Sequence, residues 1–142
     1  MEIKDTVALL KSKGYRITPQ RVAIIRILRD HEGHPGVEEV FRSVIQVHPN
    51  ISMATVYNVM EVLEKEGIIK AIANSKRSRC YDSDVKPHGH FMCNSCGRVF
   101  DIPTEYYEAC LKVLPSEMID FEVNSFELTI KGICPDCKKK LL

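Results

Sequence analysis

A chain of 142 residues with 44% hydrophobic and 27% charged residues is sized for one ordinary domain or two small ones. None of its apolar runs approaches the roughly 20 residues that a bilayer-spanning helix requires, so no membrane role is expected. A net charge of +1 selects no partner, but residues 1–82 carry 13 Lys/Arg against 10 Asp/Glu while residues 83–142 carry 7 against 9, a mild tilt toward nucleic-acid binding by the first half.

The first half reads as successive helices. Ile3, Val7 and Leu10 recur at helical spacing before Gly14 supplies a stop. Thr18 followed by Pro19 is a helix start, with Val22, Ile25 and Leu28 along one face. After the HEGHPG break, Val37, Val40, Phe41 and Val44 form a third amphipathic stripe, closed by Pro49. Ser52 is an N-cap for a fourth helix whose core face is Val56, Val59, Met60 and Leu63, ending at Gly67. IIKAIA (68–73) and RCY (79–81) then flank the polar segment Asn74 to Ser78 as a short hairpin with a basic tip. Helices followed by a basic hairpin describe a winged helix.

The run from Asp82 to His88 is polar and contains Pro87, which places a hinge there. Beyond it, GHFMC and RVFDI read as strands around a cysteine pair. Pro103 and Thr104 open a helix carrying Tyr107, Cys110, Leu111 and Leu114 on one face. Phe121 and Val123, then Phe126, Leu128 and Ile130, alternate with polar residues across Asn124 and Ser125, predicting two half-buried strands. The fold class is therefore α+β, in two parts: 1–81, a hinge at 82–88, and 89–142. A half of about 60 to 80 residues buries little surface and needs a metal, a disulfide or a partner subunit.

The opening MEIKDTVALLKSKG has neither the apolar block nor the cleavage site of a signal peptide, so a cytoplasmic chain with reduced thiols is expected. Four of its six cysteines are paired, as Cys93-x-x-Cys96 and Cys134-x-x-Cys137. Each pair places two thiolates on one tight turn, and two such turns supply the four soft ligands of a closed structural zinc site; the competing reading is a redox dithiol. Cys80 and Cys110 read as ordinary, partly buried residues. His88 and His90, at i and i+2 on a strand, can chelate one ion or be a surface accident, and Asp82, Asp84, Asp101 and distant His34 could complete a hard N/O shell. The polar side of the fourth helix is either simply solvated or a recognition surface, with Ser52, Thr55, Tyr57 and Asn58 near its start reaching bases and phosphates. Lys76 and Arg77 in the basic tip, and Arg16 and Arg21 around the second helix start, are candidate phosphate contacts.

Together GYRITPQR (14–21), HP (34–35), SMATVYNVMEVLEKEGII (52–69), RCYD (79–82), HGHFMCNSCGRVFD (88–101) and GICPDC (132–137) resemble, in the same order and across nearly the whole chain, the ferric uptake regulator family. The resemblance implies a winged-helix DNA-binding domain (1–81) joined to a small α/β dimerisation and metal-binding domain (89–142), acting as a homodimeric repressor on a palindromic double-stranded DNA operator. It also implies a regulatory metal, Fe²⁺ or Mn²⁺, held by His34, Asp82, His88, His90 and Asp101, separate from structural Zn²⁺ on the four cysteines. Aspartate at position 101 resembles the peroxide-responsive branch, in which Fe²⁺ reacts with hydrogen peroxide and the oxidant attacks a ligand histidine, here His34 or His88. An iron-responsive repressor is the alternative, and a zinc-responsive one the third. No enzyme is expected: an open His/Asp metal site can activate water, but no general base or substrate-pocket signature accompanies the ligands.

Overall fold

The computed structural model describes residues 1–72, 79–114 and 116–141. The chain divides into two compact units, Met1–Val85 and Lys86–Leu142.

The first unit contains α1 (Ile3–Ser12), α2 (Pro19–Asp30), α3 (Val37–Val44), α4 (Met53–Lys65), β1 (Lys70–Ile72) and β2 (Cys80–Asp82). Local chemistry sets the helix ends. Thr18 Oγ1 accepts from Arg21 N at 3.2 Å and starts α2 behind Pro19. Ser52 Oγ accepts from Thr55 N at 3.1 Å and starts α4. In α3 the Gly36 N–H donates to Glu39 Oε2 at 2.9 Å, so the carboxylate of the third helical residue satisfies the entry amide. At the far end of α4, Gly67 has φ +69°, its N–H donates to Glu64 O (3.0 Å), and the Ile68 N–H reaches Leu63 O (2.9 Å). That left-handed turn closes the last carbonyls and sends Ile68 and Ile69 back onto the core.

Fourteen of the described residues, among them Leu10, Ile25, Leu28, Val40, Val56, Met60 and Leu63, form the buried cluster that holds α1 to α4 together. Burying each large aliphatic side chain contributes about 1.5–3 kcal/mol before the entropy of ordering is counted. All four core residues expected on α4 are buried. On α2 the expectation shifts by two positions: Val22 is only half-buried and Ile24 is fully buried. The helix packs against α1, α3 and α4, so its apolar stripe is wider than a one-sided face. β1 and β2 pair antiparallel, Ala71 opposite Tyr81. The winged-helix arrangement follows from these elements. Lys76 and Arg77, expected at the basic tip, lie outside the described residues.

The second unit contains β3 (Gly89–Cys93), β4 (Val99–Ile102), α5 (Thr104–Lys112), a 3-10 turn (Ser116–Met118), β5 (Thr129–Gly132) and α6 (Pro135–Lys140). Its sheet runs β4-β3-β5, with β4 antiparallel and β5 parallel to β3. Of the two half-buried strands expected over 121–130, the first is not formed and the second starts late. Residues 122–128 have no regular structure, and β5 begins only at Thr129. The Leu128 carbonyl accepts from His90 N at 2.9 Å, so this end of the segment joins β3 and leaves Phe121 and Val123 exposed. The approach is held by Tyr107, whose hydroxyl donates to Phe126 O at 2.7 Å while the two rings pack edge to face at 5.1 Å. On α5 only Tyr107 is buried; Cys110 and Leu111 are half-buried, and Leu114 falls beyond the helix end and is exposed.

Candidate metal centres

The two cysteine pairs meet because β3 and β5 are parallel neighbours. Cys93 at the end of β3 is in register with Gly132, and Asn94 N donates to Gly132 O at 2.7 Å, so the turns that follow both strands leave from the same end of the sheet. One sulfur from each of Cys93, Cys96, Cys134 and Cys137 lies within 4.8 Å of the others, and Cys96 Sγ is 3.8 Å from Cys134 Sγ. Thiolates ~2.3 Å from a central zinc ion occupy a tetrahedron whose edges are about 3.8 Å, so the arrangement fits a closed four-sulfur site. A disulfide needs sulfurs at about 2 Å, and none is formed among the described cysteines.

The cluster's surroundings favour thiolates. Cys93 Sγ accepts from the backbone N–H of Cys96 (3.5 Å) and of Cys134 (3.4 Å), and these donors pull its pKa down to about 5. Arg98 lowers the Cys96 pKa by donating from Nε at 3.4 Å. Cys137 behaves oppositely: the Ser95 hydroxyl lowers its pKa, but burial and the neighbouring thiols outweigh that bond and push it up to about 11. A metal cation at the centre reverses this last effect, because the ligating thiol is then deprotonated outright. Cys80 is fully buried in β2, more so than expected, and Cys110 is half-buried on α5.

Within the first unit, His34 and Asp82 are neighbours. The Tyr81 N–H donates to Pro35 O at 3.0 Å and Gly36 bridges Cys80, which zips the segment before α3 onto β2. His34 Nε2 thereby lies 3.3 Å from Asp82 Oδ2, both side chains nearly buried. Asp82 is the last residue of β2, and its Oδ1 accepts from Asp84 N at 2.8 Å, so Asp84 supplies a backbone amide that orients the Asp82 carboxylate.

Within the second unit, His90 on β3 is in register with Asp101 on β4. His88 lies one residue before β3 rather than on it, yet its ring packs against His90 at 4.6 Å. Asp101 Oδ1 is 3.1 Å from His88 Nε2 and 3.6 Å from His90 Nε2, so three hard N/O donors converge. His88 Nδ1 donates to Lys86 O at 2.7 Å, which leaves Nε2 facing Asp101. This carbonyl partner, in the bend at Lys86 and Pro87, had no sequence signal.

The candidate DNA contacts are also placed. Tyr57 is half-exposed and Asn58 exposed on the outer side of α4, away from the buried stripe. Ser52 and Thr55 hydroxyls bond each other at 2.8 Å, so part of their capacity serves the helix start. Arg16 is exposed; Arg21 lies over the Tyr15 ring at 5.7 Å and donates to the Arg16 carbonyl.

Comparison with known proteins places this geometry. Residues 12–131 match the ferric uptake regulator family. The chain belongs to that family. It is 33% identical over 139 residues to the peroxide-responsive repressor PerR of Staphylococcus epidermidis, a match covering 98% of this chain and 92% of that protein. The solved structure of the Campylobacter jejuni peroxide stress regulator is similar at 28% identity and a TM-score of 0.69, covering 96% of this chain and 100% of that one. The Helicobacter pylori ferric uptake regulator, at 24% identity, shares the fold with a TM-score of 0.82 over 96% of this chain and 91% of its own. Family membership sets the coarse function, that of a metal-responsive transcriptional repressor. Among the described residues no helix is long and apolar enough to cross a membrane.

Proposed function

We propose that the chain is a homodimeric repressor that binds a palindromic DNA operator when metal-loaded and releases it after hydrogen peroxide oxidises a ligand histidine. The observation that carries this reading is the meeting of His88, His90 and Asp101 in a chain whose similar curated relatives are named peroxide-responsive repressors. Structural Zn²⁺ is assigned to Cys93, Cys96, Cys134 and Cys137. The regulatory ligands are assigned to His34 and Asp82 from the first unit and to His88, His90 and Asp101 from the second, as the family resemblance implies.

Imidazole and carboxylate donors suit Fe²⁺ or Mn²⁺, whereas thiolates suit zinc, so the two donor sets sort the metals by softness. Bound Fe²⁺ would supply the redox chemistry that peroxide requires, and Mn²⁺ would not. The chain's own part is positional. Ligands shared between units make one arrangement of the DNA-binding units more stable than others, with paired α4 helices about 34 Å apart for successive major grooves. A shift from mostly open to mostly closed needs several kcal/mol of preference, within the reach of a five-ligand shell. Oxidation of His34 or His88 removes one nitrogen donor and that preference with it. Tyr57, Asn58, Thr55 and Ser52 are assigned to the groove, and Arg16, Arg21, Lys76 and Arg77 to phosphates.

The test is to load the chain with Fe²⁺ or with Mn²⁺, add hydrogen peroxide, and measure operator binding beside the masses of the peptides containing His34 and His88. Addition of one oxygen to either peptide in the iron sample alone, with loss of DNA binding, is expected. Unchanged masses and unchanged DNA binding in iron would replace this reading with an iron-responsive one.

A further inference from the structure

The four-cysteine cluster carries a side chain that the zinc reading does not use. Gly97, with φ +73°, turns the chain sharply after Cys96, and the backbone closes on itself through Gly97 N to Cys93 O (2.9 Å) and Cys93 N to Arg98 O (2.9 Å). This brings Arg98 back over the sulfurs. Its Nε donates to Cys96 Sγ at 3.4 Å and its Nη2 to Cys134 Sγ at 3.5 Å, so one guanidinium bridges the two cysteine pairs. Asp136, between Cys134 and Cys137, accepts from Nη2 at 2.6 Å, and the Phe100 ring lies 5.4 Å from the guanidinium carbon. Four contacts thus hold the group in one place. Cys96 is the most exposed of the four cysteines; Cys93, Cys134 and Cys137 are buried.

We propose that Arg98 is a positioning residue whose guanidinium caps the Cys96 and Cys134 sulfurs and sets how slowly soft electrophiles attack the cluster. The inference rests on the zinc reading of these cysteines. An N–H donated to a thiolate withdraws electron density from the sulfur lone pair that an electrophile must reach, and the planar fork occupies the open side of Cys96. Cys93 has two backbone donors and Cys96 has the backbone N–H of residue 98, which Arg98→Ala keeps, so the guanidinium is the side-chain donor that Cys96 and Cys134 share. In a protein that meets peroxide, such a cap directs the chemistry away from sulfur.

Iodoacetamide is the probe. A thiolate lone pair forms a C–S bond at the methylene carbon as the C–I bond breaks, and iodide leaves with the bonding pair. The thioether is a poorer ligand, so zinc is released and can be followed with 4-(2-pyridylazo)resorcinol. In the full-length zinc-loaded chain, Arg98→Ala is expected to release zinc on the order of tenfold faster, the factor a charge-assisted hydrogen bond is worth. Arg98→Lys recovers little of this, because an ammonium cannot bridge two sulfurs. Asp136→Asn, which keeps the guanidinium but loosens its anchor, gives an intermediate rate. Partial-conversion mass spectrometry should find Cys96 and Cys134 alkylated before Cys93 and Cys137 in Arg98→Ala. Equal zinc-release rates in all variants, or uniform labelling of the four cysteines, overturns the proposal alone. A wild-type chain purified without zinc overturns the zinc reading and the proposal with it.

Discussion

Replacing Cys137 by serine should unfold the second unit and spare the first. The two units differ sharply in what holds them. Among the described residues of Met1–Val85, fourteen form one buried cluster. Among the described residues of Lys86–Leu142, the buried hydrophobic residues are Cys93, Cys134, Cys137 and Tyr107. Tyr107 contributes roughly 3 kcal/mol by burial, while a structural zinc site contributes about 10–16 kcal/mol, comparable to or larger than the ~5–15 kcal/mol net stability of a whole domain. A serine hydroxyl does not ionise near neutral pH, so the site loses a ligand and most of that binding energy. Hydrogen exchange read by mass spectrometry, residue range by residue range, is the assay. Amides of Gly89–Cys93 and Thr129–Gly132 should lose nearly all protection in Cys137→Ser or after zinc chelation, and those of Val56–Leu63 should keep theirs. Persistent protection of β3 and β5 without zinc would show that the unit's stability has another source. Simultaneous loss in α4 would show that the first unit does not stand on its own core.

Other outcomes follow from single contacts. Asp101→Glu pushes the carboxylate about 1.5 Å further along its side chain, into space where Oδ1 already stands 3.1 Å from His88 Nε2; metal-dependent operator binding should survive, while histidine oxidation per peroxide dose falls several-fold by mass spectrometry. Thr18→Ala removes the acceptor for Arg21 N and should cost about 1 kcal/mol, lowering Tm by a few degrees in calorimetry. Gly89→Ala places a Cβ 2.8 Å from Leu128 Cδ2 and 3.2 Å from its Cβ, along the whole side chain rather than at a movable tip. That overpacking should cost about 1–3 kcal/mol and, because residue 89 sits between His88 and His90, weaken Mn²⁺ binding in isothermal titration.

Where the sequence was readable, a local signal and the tertiary environment agreed. Thr18 with Pro19, and Ser52 followed by an unbroken i, i+3, i+4 stripe to Leu63, announce α2 and α4 because caps and periodicity are short-range properties. The cysteine spacing likewise announces two turns that can share an ion. Misreadings occur where a distant segment decides. Alternation from Phe121 to Ile130 marks apolar positions truthfully but says nothing about which chain supplies the ladder, and β5 pairs with β3 across more than thirty intervening residues. The Gly36 to Cys80 bridge that brings His34 beside Asp82 has no local mark either. Arg98 looks like any surface cation until the Gly97 turn and β5 bring both cysteine pairs beneath it. Nor does the sequence distinguish His88 outside the strand from His88 on it, since both present a ring beside His90.

The parallel pairing of β3 with β5 also imposes an order on synthesis. A ribosome delivers Cys93 and Cys96 dozens of residues before Cys134 and Cys137, and the intervening segment must emerge before β5 can dock. A polypeptide stalled before Cys134 holds two of the four cluster sulfurs, an incomplete tetrahedron. Assembly of the four-sulfur cluster therefore waits until Cys134 and Cys137 have emerged, and fragments stalled earlier lack the full donor set.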